Sequence, residues 1–141
     1  MKLPIRFLFA GVLGLLLAGG MAGCSKQGGS GQKVDLQQSL AALKSEDKNA
    51  RGDAAIAIAG LGEKGAEAVP ALIEVLKDPE PEVRRLAAYA LMSIGKPAAS
   101  ALPAVKELLK DPSRDVVQQA VITVRALDPN AAGLKMDAVT Q

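Results

Sequence analysis

An interval of thirty-three residues constrains this chain more than any single side chain does. Val69-Pro70-Ala71-Leu72 returns as Leu102-Pro103-Ala104-Val105, and Leu76-Lys77-Asp78-Pro79 returns as Leu109-Lys110-Asp111-Pro112. Val83, Ala87 and Ile94 return as Val116, Ala120 and Leu127. One step back, a weaker copy places Leu36, Leu43, Lys44, Ala50, Arg51, Ala54, Ala57 and Leu61 on the corresponding positions. A fixed period of this length marks a stacked-repeat architecture, in which each unit needs its neighbours to bury its apolar faces.

Each copy holds two amphipathic segments separated by a polar break, the pattern of a helical hairpin. In the middle copy the spacing predicts a first helix, A, over 68–77, with Val69, Leu72, Val75 and Leu76 on one face. Pro70 and Pro103 fall in the first turn of their A helices, where the absent N–H has no intrahelical partner to lose. The second helix, B, is predicted over 81–94, with Val83, Ala87, Ala90, Leu91 and Ile94 clustered on one side. Asp47, Glu80 and Ser113 stand just before the B helices as N-caps, Asp and Ser being good ones and Glu80 a poorer one helped by Pro81. Gly62 and Gly95 follow the B helices as C-terminal stops. Alanines at 54, 87 and 120 recur at one place on helix B, where small side chains let neighbouring helices approach closely. The expected fold is an all-α solenoid of three hairpins, over about 36–68, 69–101 and 102–134, within a repeat domain spanning 35–129.

At these residues the chain resembles HEAT-repeat proteins, in particular the short bacterial type often called the phycobilisome-lyase HEAT-like repeat. The carrying motif is Asp78-Pro79-Glu80-Pro81-Glu82-Val83-Arg84-Arg85-Leu86-Ala87-Ala88-Tyr89-Ala90-Leu91, closed by Ile94-Gly95. Armadillo repeats are the nearest rival, and nothing in the chain indicates their third helix. The resemblance implies a ladder between an Asp preceding helix B and an Arg in its first turn. Here the Asp position holds Ser45, Asp78 and Asp111, and the Arg position holds Arg51, Arg84 and Val117. The members missing are those that would have no neighbouring repeat, so the expected pairs are Arg51 with Asp78 and Arg84 with Asp111.

The resemblance also implies a polar outer face on helix B, often lining the concave side of the solenoid. At about 100° per residue, Arg85, Tyr89 and Met92 project away from the core stripe. The residues equivalent to Tyr89 are Ile56 and Ile122, so the three copies align large apolar side chains where the family places polar ones. On helices stacked about 8–10 Å apart these form a ridge roughly 20 Å long, framed by Arg85, Gln118 and Arg125. Such a row is either a surface for a protein partner or is covered internally by the tail over 130–141, which carries Leu134, Met136 and Val139.

The first 23 residues have the layout of an export signal, with Lys2 and Arg6, then an uncharged apolar run from Phe7 through Leu17, then small residues. Met21-Ala22-Gly23-Cys24 resembles the lipobox of bacterial lipoproteins, with Met21 where Leu is most common. That resemblance implies cleavage before Cys24 and acylation of its thiol. The alternative is an uncleaved anchor, which Gly11, Gly14, Gly19 and Gly20 weaken as a helix. Cys24 is the sole cysteine, so no internal disulfide can form. The stretch 24–34 reads as a lipidated N-terminus and glycine-rich tether. In Gram-negative lipoproteins Ser after the acylated cysteine directs the chain to the outer membrane, facing the periplasm, and Ser25 occupies that place.

Cleavage would take two of the seventeen basic side chains and leave fifteen against fifteen acidic ones, with Tyr89 as the only aromatic residue. Neither an electrostatic case for nucleic acid nor a base-stacking platform survives. The chain has no histidine or tryptophan. That removes the usual general base, Cys/His zinc sites and a Ser-His-Asp triad. Paired carboxylates could in principle hydrolyse glycosides, but most of these lie in helix-start or surface positions beside Lys and Arg. Gly60-Leu61-Gly62-Glu63-Lys64-Gly65 follows a helix and lacks the Gly-Lys-Ser/Thr ending of a phosphate loop, so it reads as an inter-repeat turn. A bilin-handling activity would require aromatic residues and histidine that are missing, so no cofactor and no metal are expected. The sequence therefore predicts a non-enzymatic interaction module or scaffold of the cell envelope, held to the membrane by its lipid alone. The other reading is a subunit of a larger envelope assembly.

Overall fold

The computed structural model describes residues 35–133. The signal segment, Cys24, the tether and the tail beyond residue 133 lie outside the described residues.

Among the described residues, six α-helices alternate in length. The short helices are α1 (Leu36–Ala42), α3 (Val69–Val75) and α5 (Leu102–Glu107), and the long ones are α2 (Lys48–Leu61), α4 (Pro81–Ile94) and α6 (Arg114–Leu127). They form three antiparallel hairpins, α1–α2, α3–α4 and α5–α6, stacked as an all-α solenoid. The long helices start where the local chemistry dictates. Asp47 has extended backbone and its carboxylate accepts the Asn49 N–H at 2.9 Å, satisfying a donor that the first turn leaves free. Pro81 opens α4, where a missing N–H costs nothing. Gly95 ends α4 with φ 74° and ψ −137°, a conformation that L side chains rarely adopt, and Gly62 ends α2 in the same way.

Three expectations are corrected. The A helix of the middle copy is shorter than 68–77: Ala68 ends the 3-10 helix Gly62–Ala68, and past Val75 the chain turns, with the Lys77 and Asp78 N–H groups donating to the carbonyls three residues back. The glycine-rich stretch around Gly62 is thus ordered 3-10 helix as well as a turn between repeats. Gly65 within it lies so close to Ile58 that a Cβ would come within 3.2 Å of that residue's side chain and carbonyl. Ser113, expected to cap α6 through its hydroxyl, makes no such bond. The Ser113 N–H itself donates to Asp111 at 2.9 Å, just as the Glu80 N–H donates to Asp78.

The core runs between the helix layers. Val83, Ala87, Ala90, Leu91 and Ile94 of α4 are all buried, together with their equivalents Val116, Ala120, Val124 and Leu127 in α6. The long helices carry most of the contact between hairpins, α4 lying between α2 and α6. In the layer of short helices, neighbouring hairpins meet through the 3-10 segments Gly62–Ala68 and Lys96–Ala101. Ala54, Ala87 and Ala120 are buried, as are Ala55 and Ala88 next to them. At Gly52, an added Cβ would stand 3.2 Å from Leu86 Cδ1, so α2 and α4 approach closely there.

Candidate protein-docking face and the ladder behind it

Both expected ion pairs are present in the geometry. Arg51 Nε and Nη2 donate to Asp78 Oδ2 and Oδ1 at 2.6 and 2.9 Å. Arg84 repeats this with Asp111 at 2.7 and 2.9 Å. Each is a two-point contact between a planar guanidinium and a carboxylate, the geometry in which arginine surpasses lysine. The third guanidinium nitrogen is also used: Arg51 Nη1 donates to the carbonyls of Ser45 and Glu46, and Arg84 Nη1 to those of Asp78 and Pro79. One side chain therefore ties the turn of its own hairpin to the aspartate of the next. Each aspartate and arginine side chain keeps no more than 12% of its exposure, so these are not the solvated surface pairs that contribute little.

Burial alone would push the Asp78 carboxyl up. The Arg51 side chain and the Glu80 N–H outweigh it and hold the group below its ordinary 3.8. For Asp111 burial is again opposed, here by Arg84 and the Ser113 N–H, and the group is likewise held down. Carboxyls depressed in the folded state contribute stability that is complete above the unfolded value and is lost as pH falls through the folded ones. The urea midpoint should accordingly hold steady from about pH 7 to 5 and fall below about pH 4. Replacing Asp78 and Asp111 together by Asn should lower the neutral-pH midpoint and flatten that acid limb. An acid limb equally steep in the double variant would show that other carboxyls set it.

The opposite face of the long helices is the candidate functional site. Ile56, Tyr89 and Ile122 occupy equivalent positions on α2, α4 and α6 and are 48%, 40% and 45% exposed, the large hydrophobic residues left open among those described. Two grooves run beside this row between successive long helices. The first, of about 390 Å³, lies between α2 and α4 and includes Asp53, Ile56, Glu80 and Glu82 in its lining. The second, of about 370 Å³, lies between α4 and α6 and is lined by Glu82, Arg85, Asp115, Gln118, Gln119 and Ile122. Lys48 bridges to Glu80 at 3.5 Å, and Arg85 to Glu82 at 2.5 Å.

The framing residues behave differently from one another. Arg85 is half-buried and held by Glu82, while Arg125 is exposed. Met92 does not project freely as expected; it is half-buried, and the Gln119 amide approaches its sulfur at 3.9 Å. Gln119 comes from the next long helix, so Met92 belongs to the seam between α4 and α6 and not to the open face. Sequence comparison also missed Thr123, which is fully buried and donates to the Ala88 carbonyl at 3.0 Å across that same seam. Its equivalents are Ala57 and Ala90, so the break in the repeat at a buried position was the available signal.

Among the described residues no group of Asp, Glu, His or Cys could hold a metal ion. No helix among them is long and apolar enough to cross a membrane.

The architecture defines a solenoid of two-helix repeats with an apolar row across its long helices. The sequence profile of HEAT repeats matches residues 36–126, and the chain belongs to that family. HEAT repeats mediate protein–protein contacts in general. No curated protein matches the chain. Among solved structures it is similar to the crystal structure of an engineered protein, a Northeast Structural Genomics Consortium target, with a TM-score of 0.56 and 22% identity. That similarity covers 73% of this chain, which spans about half of the engineered one, 50% of its length, and it concerns the fold alone.

Proposed function

We propose that this protein is a non-catalytic interaction module of the bacterial cell envelope, lipid-anchored through Cys24 and docking a protein partner on the Ile56, Tyr89 and Ile122 face. The observation that carries the docking face is the exposure of three large apolar side chains at one repeat position, in line across successive helices. Scattered exposed hydrophobics need no explanation, but a periodic row backed by grooves does. A rigid scaffold supports it, because the ladder and the core hold the three helices in fixed register. The lipobox-like Met21-Ala22-Gly23-Cys24 supports the anchor, and Ser25 supports the outer membrane of a Gram-negative host.

The test is affinity capture from envelope extract with the wild type and with Ile56→Ser, Tyr89→Ser and Ile122→Ser combined. The triple variant should lose its partner while its helicity and melting temperature stay close to those of the wild type, since surface changes of this kind cost within about 0.5 kcal/mol each. Cys24→Ala should leave capture intact, abolish incorporation of a labelled fatty acid and leave the apolar N-terminal segment uncleaved. Unchanged capture by the triple variant would refute the face, and co-purification in fixed stoichiometry would identify the protein as an assembly subunit.

A further inference from the structure

We propose that the occupant of this face is an amphipathic helix with a basic flank, laid along the row so that it crosses α2, α4 and α6 in turn. The inference rests on the docking face proposed above and adds the chemistry of the partner. Neighbouring packed helices stand about 8–10 Å apart, which sets the spacing of Ile56, Tyr89 and Ile122. Seven residues of α-helix rise about 10.5 Å. An apolar residue repeated every seventh position of a partner helix therefore follows the row to within about 0.5–2.5 Å per step, a gap that flexible side chains span.

Charge distinguishes the two sides of the row. On the side toward the starts of the long helices, the two grooves present Asp53, Glu80, Glu82 and Asp115 against only Lys48 and Arg85. Both cations are held in pairs, with Glu80 and Glu82 respectively; Asp53 and Asp115 form no ion pair among the described residues, although Asp115 stands near enough to act on the Arg85 guanidinium. Arg114 is exposed at the foot of α6 but lines neither groove. On the other side, four residues after each ridge position, stand Gly60, Ser93 and Ala126, small and uncharged. The Ser93 hydroxyl donates inward to the Tyr89 carbonyl. Arg125, one residue before Ala126, is the cation on that side. A helix seated on the row can come close over the small residues, and its lysines or arginines belong on the acidic side, where Asp53 and Asp115 would lose their excess of negative charge.

Tyr89 supplies the readout, being the single tyrosine of a chain without tryptophan and lying at the centre of the row. The full-length Cys24→Ala chain would be titrated with two synthetic helical peptides of about three heptads, free of Tyr and Trp. Both carry Leu at every seventh position, one with Lys along one flank and the other with Glu in those places. The Lys peptide should change Tyr89 fluorescence saturably, bind at least about tenfold more tightly than the Glu peptide, and weaken as salt is raised. Asp53→Lys with Asp115→Lys should reverse the preference. Equal binding of the two peptides, or a preference for the Glu peptide, overturns the basic partner while leaving the docking face standing. If neither peptide perturbs Tyr89 although the wild type still captures a protein that the triple Ser variant loses, the helix is overturned and the face survives. If capture is also indifferent to the triple variant, both fall.

Discussion

Arg84→Ala should lower the melting temperature by about 10 °C or more, although the residue lies outside the apolar core. The substitution removes two bonds to the Asp111 carboxylate and two to the carbonyls of Asp78 and Pro79. It leaves Asp111 largely shielded from water, with the Ser113 N–H as its remaining hydrogen-bond donor. Removing one partner of a buried pair typically costs about 3–5 kcal/mol, and the partial exposure here reduces that to about 2–3 kcal/mol. For a domain of this size each kcal/mol shifts the midpoint by about 4–8 °C. Arg84→Lys should not restore the loss, because an ammonium cannot meet both carboxylate oxygens and two carbonyls at once. The coupling between Arg84→Ala and Asp111→Ala in a double-mutant cycle, read by urea denaturation, isolates the pair. A coupling under about 0.5 kcal/mol would place it among ordinary surface ion pairs.

Leu91→Ala should be still more damaging, at about 3–4 kcal/mol. Leu91 is fully buried on α4, the helix flanked by long helices on both sides, so the void falls in the middle of the stack. That is a large part of the roughly 5–15 kcal/mol available to a typical domain. Ile122→Ala removes a side chain of similar size from the open face and should cost within about 0.5 kcal/mol. Urea midpoints of the two variants compare the faces of the long helices directly. Equal losses would mean that the row at Ile122 is covered in the native protein.

Much of this was legible in the sequence because repetition supplies internal controls. Comparing Arg51, Arg84 and Val117 with Ser45, Asp78 and Asp111 reveals a pairing that runs forward by one repeat, since only the members with no neighbour are missing. Ile56, Tyr89 and Ile122 stand out by the same comparison. The bounds of α4 follow from Pro81 and Gly95, two residues with restricted or unusual backbone preferences. What escaped depends on relations between helices that periodicity does not encode. Met92 lies at an angle suited to solvent on an isolated helix, yet Gln119 reaches over it from α6. Thr123 stands at the core position of Ala90, and the period does not encode that its hydroxyl meets the Ala88 carbonyl on the neighbouring helix. The 3-10 stretch Gly62–Ala68 reflects a tight turn whose short bonds the apolar period does not encode, and Ser113 leaves the first turn of α6 without a side-chain cap.

The turn at Asp78 gives the three hairpins a mechanical property. Its carboxylate holds Arg51 from the hairpin before it and the Glu80 N–H within the turn, while its carbonyl is held by Arg84, whose guanidinium reaches on to Asp111. The two ion pairs are thus joined in series through one residue, like links on a shared pin. Distortion of the first hairpin is therefore felt at the bonds that seat the third, and the pin strengthens the nearest-neighbour term on which a short stack of repeats depends.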